Sequence, residues 1–130
     1  MQSILKHARK EDIKDKHFPY IIIKDAIDEK LYQKLDEEYP SLETFGKNTK
    51  NPRENVDKLN NSRVDIPSVN TLTKKNIVSD NWREFVKYHT SNKFYIEVVK
   101  LFKKHILKLY PNFEKKIGCK IEDISTDIRF

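Results

Sequence analysis

The last seven residues, Ile124–Phe130, constrain the folds open to this chain more than any other stretch. Ile124, Thr126, Ile128 and Phe130 fall on one face of an extended chain, and Ser125, Asp127 and Arg129 on the other. That is the pattern of a half-buried strand, and it runs into the final residue without a turn or cap. Strand backbone left open must find hydrogen-bond partners. Two further short strands are predicted. Phe18–Ile23 places Tyr20 and three isoleucines after Pro19 and reads as a strand buried on both faces. Arg63–Ile66 alternates polar and apolar residues and is ended by Pro67. Three short strands fall below what a stable sheet usually needs. The expected fold class is therefore α+β, with helices packed on an incomplete β-sheet that stops in mid-sheet.

Helix signals fill most of the rest. Asp28 is placed to cap a helix, with Ile27 and Tyr32 spaced as a hydrophobic staple. Ile27, Leu31, Leu35 and Tyr39 recur at intervals of four, and Pro40 stops the run. Ser79–His89 reads as a capped helix with Trp82, Phe85, Val86 and His89 on one face. Thr90 or Ser91 caps the next helix, expected over 92–110, whose wide apolar face carries Phe94, Tyr95, Val98, Val99, Phe102, Ile106 and Leu109 before Pro111 ends it. Between the two halves, residues 46–62 form a long polar stretch with five asparagines, the composition of a functional flap or a disordered loop. The expected organisation is a loosely held N-terminal arm, 1–17, and a single α+β domain, 18–130.

At 130 residues the chain can bury a core without disulfide or metal staples. Its one cysteine, Cys119, has no internal disulfide partner and fits a reducing compartment. Charges interrupt the first residues, so no signal-peptide core is present, and the longest purely apolar run is Ile21–Ile23. The expected location is the cytoplasm, with no membrane contact. The net charge of +6 is carried by one segment: Ser91–Lys120 holds eight lysines against Glu97 and Glu114, and the remainder balances. A lysine-rich helix over 92–110 is a candidate surface for nucleic acid or an acidic partner. Every basic residue in the segment is lysine, however, with no arginine and no aromatic interleaving. A solvated face whose lysine stems cover apolar surface is the preferred reading, and nucleic acid is not the expected partner.

Residues that carry chemistry are sparse. His7, His17, His89 and His105 stand in no HxD, HxE, HExxH or paired arrangement, so their spacing defines no metal site. Gly46 and Gly118 are the only glycines, too few for a phosphate-cradling loop. The acid pairs Asp36–Glu37 and Glu122–Asp123 are adjacent in sequence rather than placed across a cleft. No catalytic residue and no metal ligand is assigned. Tyr88, His89, Thr90 and Ser91 make a compact polar cluster at a helix junction, which capping explains and which also suits a pocket wall.

Three stretches carry a resemblance. "HFPYIIIKDAIDEKLYQKLDEEYP" (His17–Pro40) resembles the opening of iron(II)/2-oxoglutarate-dependent oxygenases of the prolyl-hydroxylase-like superfamily, with a strand, an acidic turn, a helix and a terminating proline. "NWREFVKYHTSNKFYIEVVKLF" (Asn81–Phe102) is similar to the paired helices that back the sheet in one branch of that group, and "STDIRF" (Ser125–Phe130) to the strand that precedes its iron-binding segment. The resemblance covers about residues 17–130 and implies the N-terminal part of a jelly-roll dioxygenase. Fe(II) and 2-oxoglutarate are implied for the complete fold, and none of the histidine and carboxylate ligands stands in this chain, so no cofactor is expected on it alone. Arg63, His89, Asp127 and Arg129 are the candidates for a wall of the substrate entrance, for an unknown substrate. The terminal strand is expected to pair with a missing C-terminal part or with another chain.

Overall fold

The computed structural model describes residues 1–48 and 66–126. In chain order the helices are α1 (Glu29–Glu37), α2 (Leu42–Asn48), α3 (Ser68–Thr73), α4 (Asp80–His89), α5 (Asn92–Leu101), α6 (Lys103–Leu109) and α7 (Phe113–Ile117), with single 3-10 turns at Lys10–Asp12 and Ile121–Asp123. Among the described residues helix dominates, and the strand pairing is confined to one isolated bridge. The expected α+β fold, with helices on an incomplete sheet of jelly-roll type, is thereby overturned: the described residues form helices and no sheet.

The reason is visible at Phe18–Ile23. Tyr20 forms one isolated antiparallel bridge with Lys14, through N–H···O bonds of 2.9 and 2.8 Å in the two directions, and the ladder goes no further. The β-branched content of Ile21–Ile23 suits a pleated surface, but a ribbon this short has too few partners to propagate. Phe18 and Ile22 consequently stay 66% and 69% exposed, so this segment is not the doubly buried strand its composition predicts. Of the predicted strand 63–66, residues 63–65 lie outside the described residues, as do 127–130 of the terminal strand. Its first residue, Ile124, is buried and ends the second 3-10 turn. The polar stretch 46–62 begins within α2, and beyond residue 48 it also lies outside the described part.

The chain divides into two compact units. The first joins Met1–Asp28 to Tyr88–Phe130. Its core is Ile96 and Val99 of α5 with Ile121 and Ile124, and Ile106, Leu107, Phe113 and Ile117 pack against it. Full burial of a side chain such as Ile121 contributes about 1.5–3 kcal/mol. Ser91 caps α5, its Oγ accepting the Phe94 N–H at 3.2 Å. The helix predicted over 92–110 is broken at Phe102, whose φ of −91° and ψ of 13° end α5 and open α6. Gly118 then closes α7 in the left-handed region, φ 77°, as a helix C-terminus commonly requires. Beyond it Glu114 Oε1 accepts the Ile121 N–H at 2.9 Å, which fixes the second 3-10 turn beside α7.

The second unit is Glu29–Lys87. Leu35 of α1 is its buried aliphatic anchor. Trp82 of α4 donates its indole N–H to the Leu35 carbonyl at 2.8 Å, and Asn81 donates to both oxygens of Glu38 at 3.0 and 3.1 Å. These bonds lock the end of α1 to the start of α4. Edge-on contacts continue from Tyr39 to Trp82 and from Trp82 to Phe85, with ring centroids 5.7 and 5.8 Å apart. Arg83 ties in α3 by donating to the Thr71 carbonyl at 3.3 Å, and it pairs with Asp80 at 2.7 Å.

Candidate functional site

A groove of about 730 Å³ lies in the first unit between the N-terminal segment and α5. Gln2, Lys6 and Arg9 line one side, and Tyr88, Glu97 and Lys100 the other. Helical spacing explains the second side: Glu97 and Lys100 are three apart on α5 and share a face. Tyr88 reaches that face from the end of α4, donating its hydroxyl to Glu97 Oε1 at 2.7 Å. That hydrogen bond, with burial and the Glu97 charge behind it, pushes the Tyr88 phenol above its ordinary value. A raised phenol stays protonated, so at neutral pH Tyr88 serves as a donor and not as a base. Lys93 Nζ sits 5.5 Å from the centre of the Tyr88 ring.

Charge is distributed unevenly. The first unit holds fifteen lysines and arginines against ten acids, the second eleven against ten. Arg9 pairs with Asp12 at 3.2 Å, while Lys10 and Lys103 share Glu122, each 3.3 Å from the same Oε1. Both lysine hydrogen bonds hold the Glu122 carboxyl below the usual carboxylate range. Lys100, Lys104, Lys108, Lys115, Lys116 and Lys120 enter no ion pair among the described residues.

Of the four predicted wall residues, Arg63, Asp127 and Arg129 lie outside the described residues. His89 ends α4, where its Nε2 accepts the Ile4 N–H at 3.2 Å and its ring meets Phe94 edge-on at 4.8 Å. The polar cluster beside it is a junction: Ser91 caps α5 and also donates its hydroxyl to the Tyr88 carbonyl at 2.6 Å. The grouping of Lys10 with Lys103 and Glu122 could not be read from spacing, because Lys10 and Glu122 lie 112 positions apart.

The oxygenase resemblance implies a histidine, a carboxylate two residues on and a second histidine around Fe(II). None of the four histidines has that neighbour, and the described residues hold no group of three His, Cys, Asp or Glu able to take a metal. The donor set among the described residues does not fit that group. Among the described residues no helix is long and apolar enough to cross a membrane. No protein-family model, curated protein or solved structure matches the chain.

Proposed function

We propose that the chain is the helical N-terminal part of an Fe(II)/2-oxoglutarate-dependent dioxygenase, contributing packing and one side of a substrate approach while the reacting centre is built from other residues. The placement of its helices carries this reading. α1 falls inside His17–Pro40, and α4 followed by α5 falls inside Asn81–Phe102, where the resemblance implies a single helix and a helix pair. The exposed apolar side chains of Phe18 and Ile22, in an extended segment with one bridge, are the kind of surface that further chain would cover. What this part contributes is helix. Its groove beside Lys100 offers a cation to a passing substrate.

The reading frame beyond Phe130 tests this directly. It should soon encode His-x-Asp or His-x-Glu. The extended product should release succinate from 2-oxoglutarate with Fe(II), whereas residues 1–130 should release none. A stop codon directly after Phe130, or iron-dependent turnover by these residues alone, would overturn the proposal.

The charge of the first unit favours a second reading, a non-catalytic module that meets an acidic partner with its lysine face. It predicts binding to a polyanion that weakens steeply with salt and is abolished by reversing Lys100, Lys103, Lys104 and Lys108. Binding indifferent to those changes would remove it.

A further inference from the structure

Lys10, Lys103, Lys104 and His105 line a second, smaller cleft of about 240 Å³ in the first unit, whose apolar walls are Ile13, Leu101 and Leu107. We propose that this cleft binds a small dianion of the phosphate-monoester type, its charged end among the lysines and its organic end on the aliphatic wall. The site rests neither on iron nor on the oxygenase reading.

Charge accounting is the first support. Lys10 and Lys103 both reach one oxygen of Glu122 at 3.3 Å, so two ammonium groups share a single carboxylate. Lys104 is exposed and enters no ion pair among the described residues. Three lysines against Glu122 and the nearby Asp15 leave an excess of positive charge beside the cleft. Asp15 Oδ2 lies 3.3 Å from His105 Nε2. The second support is that the ammonium groups of Lys10 and Lys103, two residues that line this cleft, converge on a single oxygen anion of Glu122, a residue of the adjoining groove. Lysine ammoniums are point charges with rotatable donors, suited to the tetrahedral oxygens of a phosphate, whereas a planar carboxylate is better met by an arginine fork.

His105 adds a third observation. It is half-buried, with its side chain 12% exposed, and its Nδ1 is buried with no hydrogen-bond partner among the described residues. The imidazole stands in the cleft wall, where its resonances report on an occupant. The size of the cleft limits the ligand. Drug-sized molecules occupy pockets from roughly 300 Å³ upward, so this one takes a phosphate with a single small apolar group.

The test is a titration of the full chain with inorganic phosphate and with phenyl phosphate, at ionic strength held constant with sodium chloride, following the His105 ring resonances by NMR. Saturable shifts are expected, with phenyl phosphate binding several-fold tighter because the aliphatic wall takes its ring. K103Q/K104Q should weaken phenyl phosphate by about tenfold, the equivalent of one charge-assisted hydrogen bond. E122Q should tighten it, since the competing carboxylate is gone, and this gain cannot be mimicked by a variant that fails to fold. Shifts that sodium chloride alone reproduces, equal affinity for the two phosphates, or an affinity unmoved by both variants would overturn the proposal.

Discussion

Tyr88 gives its hydroxyl hydrogen to Glu97 Oε1 across 2.7 Å, joining the last turn of α4 to the second turn of α5 at the edge of the larger groove. The bond replaces solvent on both partners and raises the Tyr88 phenol. A phenol raised by folding favours the folded state while protonated. Its contribution is complete below the ordinary tyrosine range and disappears as pH climbs through the raised value. In an absorbance titration of the six tyrosines, one should ionise late, and E97Q should return it toward the others. Alkaline melting curves should show wild type losing its advantage over E97Q above about pH 10. Identical tyrosine titrations in the two proteins would contradict this.

Glu122 responds at the opposite end of the pH scale. Its carboxyl is held down by hydrogen bonds from Lys10 and Lys103. Its stabilising effect is therefore present above the ordinary carboxylate range and is lost as pH falls through the lowered value. Side-chain NMR should find Glu122 titrating below the ordinary carboxylate range, and K10Q should move it partway back. The pair is exposed and screened by salt, so the displacement should shrink at 1 M sodium chloride.

Ile121 is the one large side chain with no exposure among the described residues, enclosed with Ile96, Val99 and Ile124. I121A should cost about 2–5 kcal/mol, the transfer of the lost atoms plus the cavity they leave. Urea denaturation followed by circular dichroism reads this as a lower midpoint. Cost below about 1 kcal/mol would mean that the site collapses around the smaller residue or is less enclosed than described.

Gly118 separates backbone strain from steric space. Nothing lies within 4 Å of where a Cβ would stand, yet φ is +77°. G118A should therefore be destabilising by about 1 kcal/mol through conformation alone. G118N should cost less, because asparagine tolerates the left-handed region. Thermal melting of the pair checks the order, and equal melting temperatures would refute the assignment.

The helices that could be read in advance are those with local punctuation. Asp28 and Pro40 bracket α1, Ser79 presents its Oγ to the Trp82 N–H at 3.2 Å at the start of α4, and Ser91 caps α5. Each signal acts within one turn, so sequence alone carries it. The break at Phe102 has no such mark, since neither glycine nor proline stands there. The short helices α2, α3 and α7 are too brief to show a periodic apolar face. Phe18–Ile23 misled for a different reason. Its side chains suit a strand, but a strand exists only through a partner, and pairing is a property of distant chain. The same limit hid the meeting of Lys10 with Lys103 at Glu122, where a residue of the N-terminal arm and one of α6 are brought together only by folding.

The first unit is assembled from two stretches of chain with the whole of the second unit between them. During translation Ile4 must therefore remain without the His89 ring that accepts its amide, and Lys10 without Glu122, until the ribosome has made the intervening residues. At roughly 5–20 residues per second the nascent N-terminal segment waits for several seconds, its apolar side chains open to chaperones, while Glu29–Lys87 emerges as a continuous piece that can collapse first. Vectorial synthesis thus imposes an order of events on this chain that refolding from denaturant does not.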